Sequence, residues 1–192
     1  MKNTKLETIK SMDLDKRLSL ANQTADEETL CILATDTREE VRQFVALNEN
    51  TPTKALSDLA RDKSWRVRSA VGINKNTKAE TLAMLASDKE AWIRWTVARN
   101  ENTPKEALAV LADDCDLGVR QNVAGNKNTP KEALVKLAGD RDYGVRKAVV
   151  NNPNTSYNTL LMLSKVKAVE IREKAKEVLK ERALKANTNK ER

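Results

Sequence analysis

Apolar residues along the chain fall into short clusters at helical spacing, and the clusters recur every 26 residues. Leu30, Leu56, Leu82, Leu108, Leu134 and Leu160 form one series. Asp36, Asp62, Asp88, Asp114 and Asp140 form a second, and Asn50, Asn76, Asn102, Asn128 and Asn154 a third. A further asparagine series runs Asn22, Asn48, Asn74, Asn100, Asn126, Asn152. A Val/Ile-Arg pair recurs at Val41-Arg42, Val67-Arg68, Ile93-Arg94, Val119-Arg120, Val145-Arg146 and Ile171-Arg172. Self-similarity at such a period marks a stacked repeat array, in which each unit buries its apolar face against its neighbours. The expected fold class is all-α, with two helices in each repeat.

The first helix of a unit, helix A, is predicted from the narrow stripe Ala55, Leu56, Leu59, Ala60 and its equivalents. Thr24, Thr51, Thr77, Thr103, Thr129 and Thr155 precede it. Glu follows three residues later at Thr24/Glu27, Thr77/Glu80, Thr103/Glu106 and Thr129/Glu132, which reads as a capping box. Pro52, Pro104 and Pro130 then fall at the first helical position, where a missing N–H costs nothing. Helix A is expected to end near the recurring Asp. A linker of about five residues leads to helix B, which starts close to the Val/Ile-Arg pair and runs to the recurring Asn, a residue suited to helix ends and left-handed turns. Helices this short are marginal alone and depend on stacking.

The ends depart from the pattern. Residues 1–23 match it poorly, and Leu6, Ile9, Met12, Leu14, Leu18 and Leu20 predict one or two short helices forming an N-terminal cap. Residues 24–164 form the array, with five full repeats and the start of a sixth. Residues 165–192 are expected to form a C-terminal capping helix and a polar tail. That helix should run from about Val166 to Ala186, with Ile171, Ala175, Val178, Leu179 and Ala183 facing inward and 187–192 disordered.

A helical wheel divides helix B into two faces. With Val119 at the origin and 100° per residue, Val123, Ala124 and the recurring Arg120 share the apolar arc. A buried Arg needs a partner. The Asp six residues earlier, Asp114, is the first candidate, and carbonyls at a neighbouring helix end are another. The recurring residues Asp62, Arg68, Asp88, Arg94, Asp114, Arg120, Asp140 and Arg146 therefore read as a structural ladder, with an anion-binding row as the competing reading. The recurring Asn residues read as turn structure rather than a ligand site. On the opposite arc the third unit carries Trp92, Trp95, Thr96 and Arg99, and the unit before it Arg66, Ser69 and Ile73. Trp and Arg are the residues most enriched at binding hot spots. Solenoid curvature covering the Trp side chains is the alternative. Trp65 falls at the edge of the apolar arc and is expected in the core with Leu117, Tyr143 and Val169.

Composition adjusts this picture only slightly. Aromatics make up 3% of the chain, which suits thin layers of small helices. The net charge is +7, but residues 1–24 account for +2 and residues 165–192 for +5, so the repeats between are neutral. That removes the basic stripe a nucleic-acid-binding face requires. Cys31 and Cys115 stand three repeats apart, roughly 30 Å for layers about 10 Å thick, too far for a disulfide or a shared metal site. Cys31 is expected to be a small buried residue. No apolar run is long enough to cross a membrane, and the N-terminus lacks a signal-type apolar segment, so a cytoplasmic monomer is expected.

The unit Asn-Thr-Pro-x-x-Ala-Leu-x-x-Leu-Ala-x-Asp…Val-Arg-x-x-Val-Ala-x-Asn, seen most fully from Asn102 to Asn126, resembles the variant leucine-rich repeat over about residues 24–172. Its Asp…Val-Arg element is also similar to HEAT-type repeats. The resemblance implies a right-handed α-solenoid, with one helix of each pair in some cases 3₁₀. Family members can hold an iron–sulfur cluster on an N-terminal cysteine group. Residues 1–23 contain no Cys, so no cofactor is implied.

The chain has no His, the commonest general base and metal ligand, and no Gly-rich phosphate loop. No catalytic, cofactor or metal site is therefore expected, and an enzyme of HEAT-like type, such as a DNA glycosylase, would rest on fold analogy alone. The expected function is a non-enzymatic scaffold that binds a protein or peptide through the helix-B surface, with Trp92, Trp95, Arg99 and Arg66 as contact residues. The alternative is a nucleic-acid-binding solenoid using Arg66, Arg99, Lys147 and the basic C-terminal helix.

Overall fold

The computed structural model describes the backbone of residues 2–188 and the side chains of residues 4–185. Residues 189–192 of the expected disordered tail lie outside the described residues, while Asn187 and Thr188 end the last helix. The described residues form fourteen α-helices and no strand. The chain divides into two compact units, residues 1–104 and 105–192.

The first unit contains α1 (Lys2–Ser11), α2 (Leu14–Gln23), α3 (Glu27–Leu33), α4 (Glu39–Leu47), α5 (Thr53–Leu59), α6 (Trp65–Ile73), α7 (Ala79–Leu85) and α8 (Ala91–Arg99). The second contains α9 (Lys105–Leu111), α10 (Leu117–Gly125), α11 (Lys131–Leu137), α12 (Tyr143–Asn151), α13 (Tyr157–Leu163) and α14 (Val169–Thr188). From α3 onward, odd-numbered helices are helix A and even-numbered ones helix B. Each helix A has seven residues, and every helix B before α14 has nine. Helix A is α rather than 3₁₀: in α5 the Leu56 and Ala60 amides donate to the Pro52 and Leu56 carbonyls. Tighter i→i−3 bonds, such as Asp62 N–H to Leu59, are confined to the closing turn.

Packing follows the repeat. Leu56, Leu59, Val67 and Val71 and their equivalents are buried in successive layers. In the first unit α2 packs on α4, α4 on α6 and α6 on α8. In the second α10 packs on α12, and α14 on both α12 and α13. A nine-residue helix, with most of its backbone donors and acceptors near an end, gains its stability from these lateral contacts.

The recurring threonines do not cap helix A. The residue in the N-cap position is one further on (Pro52, Lys78 and Pro130), and none of these makes a side-chain cap hydrogen bond. The Thr hydroxyl instead donates back to helix B: Thr51 to the Val45 carbonyl at 2.5 Å, Thr77 to Val71 at 2.6 Å and Thr155 to Val149 at 2.5 Å. Those carbonyls lie in the final helical turn, where the amide of the recurring Asn also reaches them at 3.1–3.2 Å and leaves a lone pair for the hydroxyl. The capping-box reading fails because the buried helix-B terminus has the stronger claim on the hydroxyl.

The recurring Asn residues join one repeat to the next. Asn74 Nδ2 donates to the Ala46 and Asn48 carbonyls at 2.8 and 2.9 Å, and its Oδ1 accepts from the Asn76 amide at 2.8 Å. Asn48 and Asn152 make the same bridge to Ala21 and Thr24 and to Ala124 and Asn126. Their backbone is extended rather than left-handed, with φ near −70°. At the C-terminal end, where position 180 is Lys rather than Asn, Arg182 on α14 donates to the Pro153 and Thr155 carbonyls. The C-terminal helix thus supplies from a different position what the repeat would have supplied. Ile171 and Ala175 are buried in it, Val178 and Leu179 are half-buried, and Ala183 is exposed, contrary to the expected inward stripe. The stripe fades because α14, at 20 residues, outlasts α12 and α13.

Candidate functional site

The recurring arginines are committed to the repeat. Arg68 is almost buried and binds Asp88 in the next repeat through two hydrogen bonds, Nε to Oδ2 at 2.7 Å and Nη2 to Oδ1 at 3.1 Å. Its Nη1 donates to the Asp62 carbonyl at 2.8 Å. Arg42 with Asp62 and Arg120 with Asp140 repeat the geometry. The Asp six residues before each Arg thus offers its backbone, and the carboxylate comes from 20 residues later. That carboxylate also accepts the amide two residues on, Ser64 for Asp62 and Asp142 for Asp140, folding the linker into helix B. Arg94 Nη1 keeps the carbonyl contact to Asp88, and Arg146 Nη1 that to Asp140. Position 166, where Arg146 would find its carboxylate, is Val.

Electrostatics follow from the pairing. Burial pushes the Asp62, Asp88 and Asp140 carboxyls up, but their Arg partners and the amides they accept outweigh it and hold each below the usual carboxylate range. The same bonds raise Arg42, Arg68 and Arg120. Sequence reasoning missed Arg17 on α2, which lies 2.8 Å from Asp36 and donates to the Met12 carbonyl at 2.6 Å. It carries the Arg–Asp contact into the first helical pair. The signal was faint because Arg17 is one residue out of register with Arg42.

The variable face of helix B looks different. In the first unit Trp92 and Trp95 stack, with ring centroids 4.7 Å apart and planes 6° from parallel. The Arg99 guanidinium lies 5.4 Å from the Trp95 centroid. The gap between the two indoles cannot admit a guanidinium, so Arg99 covers the opposite face of Trp95. On α6, Arg66 lies 4.9 Å from the Trp65 ring and 3.3 Å from Glu39. The stack is partly open to solvent, with Trp92 52% exposed. Thr96 and Ser69, placed on this face by the wheel, are buried, because the close α6–α8 packing turns that edge inward. Thr96 donates to the Ile93 carbonyl at 2.7 Å.

Trp65, expected in the core, is 42% exposed, and Leu117, Tyr143 and Val169 at equivalent positions are also exposed. The first residue of helix B projects past the edge of the layer beneath it. Cys31 is exposed as well, like Ala83 and Ala109 at the same point of helix A, and neither cysteine forms a disulfide.

Two hollows flank Trp92. One, of about 660 Å³, is lined by Gly72, Ile73, Lys75, Trp92, Trp95, Thr96, Arg99 and Asn100 to Asn102. The other, of about 260 Å³, lies among Leu47, Trp65, Arg66, Ile73 and Trp92. A larger recess, of about 930 Å³, opens between the loops that enter α3, α5 and α7, but its walls are largely the Asn, Thr and Pro positions that build every repeat. In the second unit Lys147 on α12 is paired with Glu170 at 2.5 Å, and Tyr143 donates to the same carboxylate. Among the described residues no group of three potential metal ligands occurs, and no helix is long and apolar enough to cross a membrane.

Comparison with known proteins agrees with the repeat. Residues 117–142 match the family model described as leucine rich repeat variant. The chain is similar to a solved structure described as a leucine-rich repeat variant with a novel repetitive protein structural motif, at 27% identity and a TM-score of 0.67, covering 88% of this chain and 67% of that one. A designed armadillo repeat protein is similar at 18% identity and a TM-score of 0.45, covering 91% of this chain and 97% of its own. No curated protein matches. The variant leucine-rich repeat read from the sequence is thus matched by a family model over one repeat and resembled by a solved fold, and the chain is a helical repeat protein.

Proposed function

We propose that the protein is a non-enzymatic interaction module that binds a protein or peptide on the helix-B face of α6 and α8. The observation that carries this reading is the partly exposed Trp92–Trp95 stack beside a hollow of about 660 Å³. Large aromatics left in water beside a concavity forgo burial that a partner can supply. Trp and Arg also dominate measured hot spots. Trp92, Trp95, Arg99 and Arg66 are the contact residues in this proposal. It assigns Asp62, Arg68, Asp88, Arg94, Asp114, Arg120, Asp140 and Arg146 to the scaffold, because their polar groups face the chain itself.

The absence of His and the commitment of the repeated Asp and Arg side chains to one another support a binding role over catalysis. Nucleic acid is less well supported. Arg66 is paired with Glu39 and Lys147 with Glu170, while Arg172, Lys174 and Lys176 on α14 each sit beside a Glu. A phosphate backbone would have to displace those carboxylates.

The test is affinity capture with wild-type protein and the Trp92→Ala/Trp95→Ala variant, after circular dichroism has verified equal folding. Proteins enriched by the wild type should be lost from the variant. Retention of every captured partner by the variant would place the site elsewhere.

A further inference from the structure

We infer that the hollow between α6 and α8 takes an acidic peptide segment, with an apolar side chain against Trp92 and Ile73 and a nearby carboxylate on Arg99 and Lys75. This rests on the interaction face proposed above and adds the chemistry of its occupant. Three observations carry it.

The first is charge. Arg99 and Lys75 are the two cations lining the hollow and Glu101 is its one acid, so the lining is net positive. Arg99's contact is with the Trp95 ring. Lys75 has Glu49 only at the 4.0 Å limit, with both side chains largely in water, where such a pair contributes little. Other cations on the helix-B faces have close carboxylates, Arg66 with Glu39 and Lys147 with Glu170. The hollow therefore sets two basic groups against one acid beside exposed apolar surface.

The second is the state of the aromatic faces. Trp95 has Trp92 on one face and Arg99 on the other. A cationic ligand would have to displace Arg99 to reach that face and would meet repulsion from Lys75. A nucleobase would likewise find both faces of Trp95 taken. An aliphatic or aromatic side chain needs only the edge of the stack and the apolar wall of Ile73, which is 52% exposed.

The third is extent. About 660 Å³ is the size of a site for a short peptide stretch rather than a long duplex track. Two cations offset by one acid suit one or two carboxylates rather than a run of phosphates.

The experiment titrates the full chain with three sets of fluorescein-labelled nonapeptides. Each set carries Leu or Phe at the centre, flanked by Asp and Glu, by Gln, or by Lys. Single-stranded oligo(dT) is a fourth probe. Polarisation and intrinsic Trp fluorescence are both read. The acidic set should bind about tenfold or more tighter than the Gln set, and the Lys set most weakly. Arg99→Gln/Lys75→Gln should remove that preference, bringing the acidic set down to the affinity of the Gln set. Trp92→Ala should weaken both sets.

Equal binding of the three sets with Trp dependence intact would overturn the acidic-peptide inference and leave the interaction face standing. Acidic-peptide binding that ignores Trp92→Ala and Trp95→Ala would overturn the face itself. No binding of the acidic set at about 1 mM, the weak end of specific affinity, would overturn the inference. Trp-dependent binding tighter to oligo(dT) than to any peptide would do the same.

Discussion

Replacing Asn74 by Ala tests the repeat's lateral bridge at a single side chain. Asn74 is buried, and its amide makes three hydrogen bonds: two donated to Ala46 and Asn48 and one accepted from the Asn76 N–H. The three losses are not equal. Ala46 lies in the last turn of α4, where no intrahelical N–H reaches its carbonyl, so its loss leaves a buried acceptor short, at about 1–3 kcal/mol. Asn48 keeps the Thr51 amide at 3.1 Å, and the Asn76 amide belongs to an exposed residue, so each of those costs about 0.5–1 kcal/mol. The sum is about 3 kcal/mol, a large share of the roughly 5–15 kcal/mol that holds a typical protein folded. Asn76→Ala is the control. Its side chain is exposed and donates to the Glu49 carbonyl, so its loss should cost under about 1 kcal/mol. Equilibrium urea unfolding followed by circular dichroism gives both values, and unchanged slopes would license the comparison. Asn74→Asp should be worse than Ala at neutral pH, because it sets a carboxylate against two carbonyl oxygens. If Asn74→Ala cost no more than Asn76→Ala, the bridge would be geometry without energy and the reasoning would be wrong.

The Arg–Asp pairs should be strongly coupled. Arg68→Met alone strands a nearly buried Asp88 and should cost about 3–5 kcal/mol, whereas adding Asp88→Leu should recover much of it; simple additivity in a double-mutant cycle would refute the coupling. Stability should also fall in acid. Asp62, Asp88 and Asp140 have depressed folded-state pKa values, so the unfolded chain binds more protons, and their contribution is full above the ordinary value of about 3.9 and is lost as pH drops through the folded values. Asp26, which caps α3, is held down to about 2 by Lys5 and the Thr29 amide, which extends the window downward. Thermal melts from pH 6 to pH 2 should show the loss, and Asp62→Asn should flatten it. Two glycines should respond in opposite directions. A Cβ on Gly72 would meet Thr96 Oγ1 at 2.2 Å, so Gly72→Ala should cost about 1–3 kcal/mol, partly relieved by Thr96→Ala. At Gly125 nothing lies within 4 Å, so Ala there should stabilise by about 0.5–1 kcal/mol. Melting curves of the two variants would separate them.

The architecture could be read from the sequence because a repeat states its own geometry. Leu56, Leu59, Val67 and Val71 recur where they are buried, and six copies average out the ambiguity of any one. Assignments of polar residues fared less well. Thr77 and Glu80 have capping-box spacing, yet the hydroxyl of Thr77 serves a carbonyl on the preceding helix, which local spacing cannot reveal. The acid that binds Arg68 is 20 residues downstream rather than six upstream, because stacking brings successive linkers together. Trp65 was misplaced for a related reason. A helical wheel treats a helix as endless, but a nine-residue helix has a first turn that overhangs its neighbours.

The candidate site was legible by exception. Equivalents of Trp92 are Glu40, Arg66, Gly118, Gly144 and Glu170, and those of Trp95 are Gln43, Ser69, Gln121, Lys147 and Glu173. No scaffold rule selects an indole at either position, since the layers pack with polar or absent side chains there. Gly72 departs from the Ala at positions 46, 98 and 124, and it lets Thr96 come close enough for α8 to pack tightly on α6. These departures meet at one hollow instead of scattering over the face. The repeat can therefore serve as its own control. Restoring Gln at Trp95 and Gly at Trp92 gives α8 the residues that α10 carries at those positions, so stability should be nearly unchanged while binding is lost. A large loss of stability would instead make the indoles part of the scaffold.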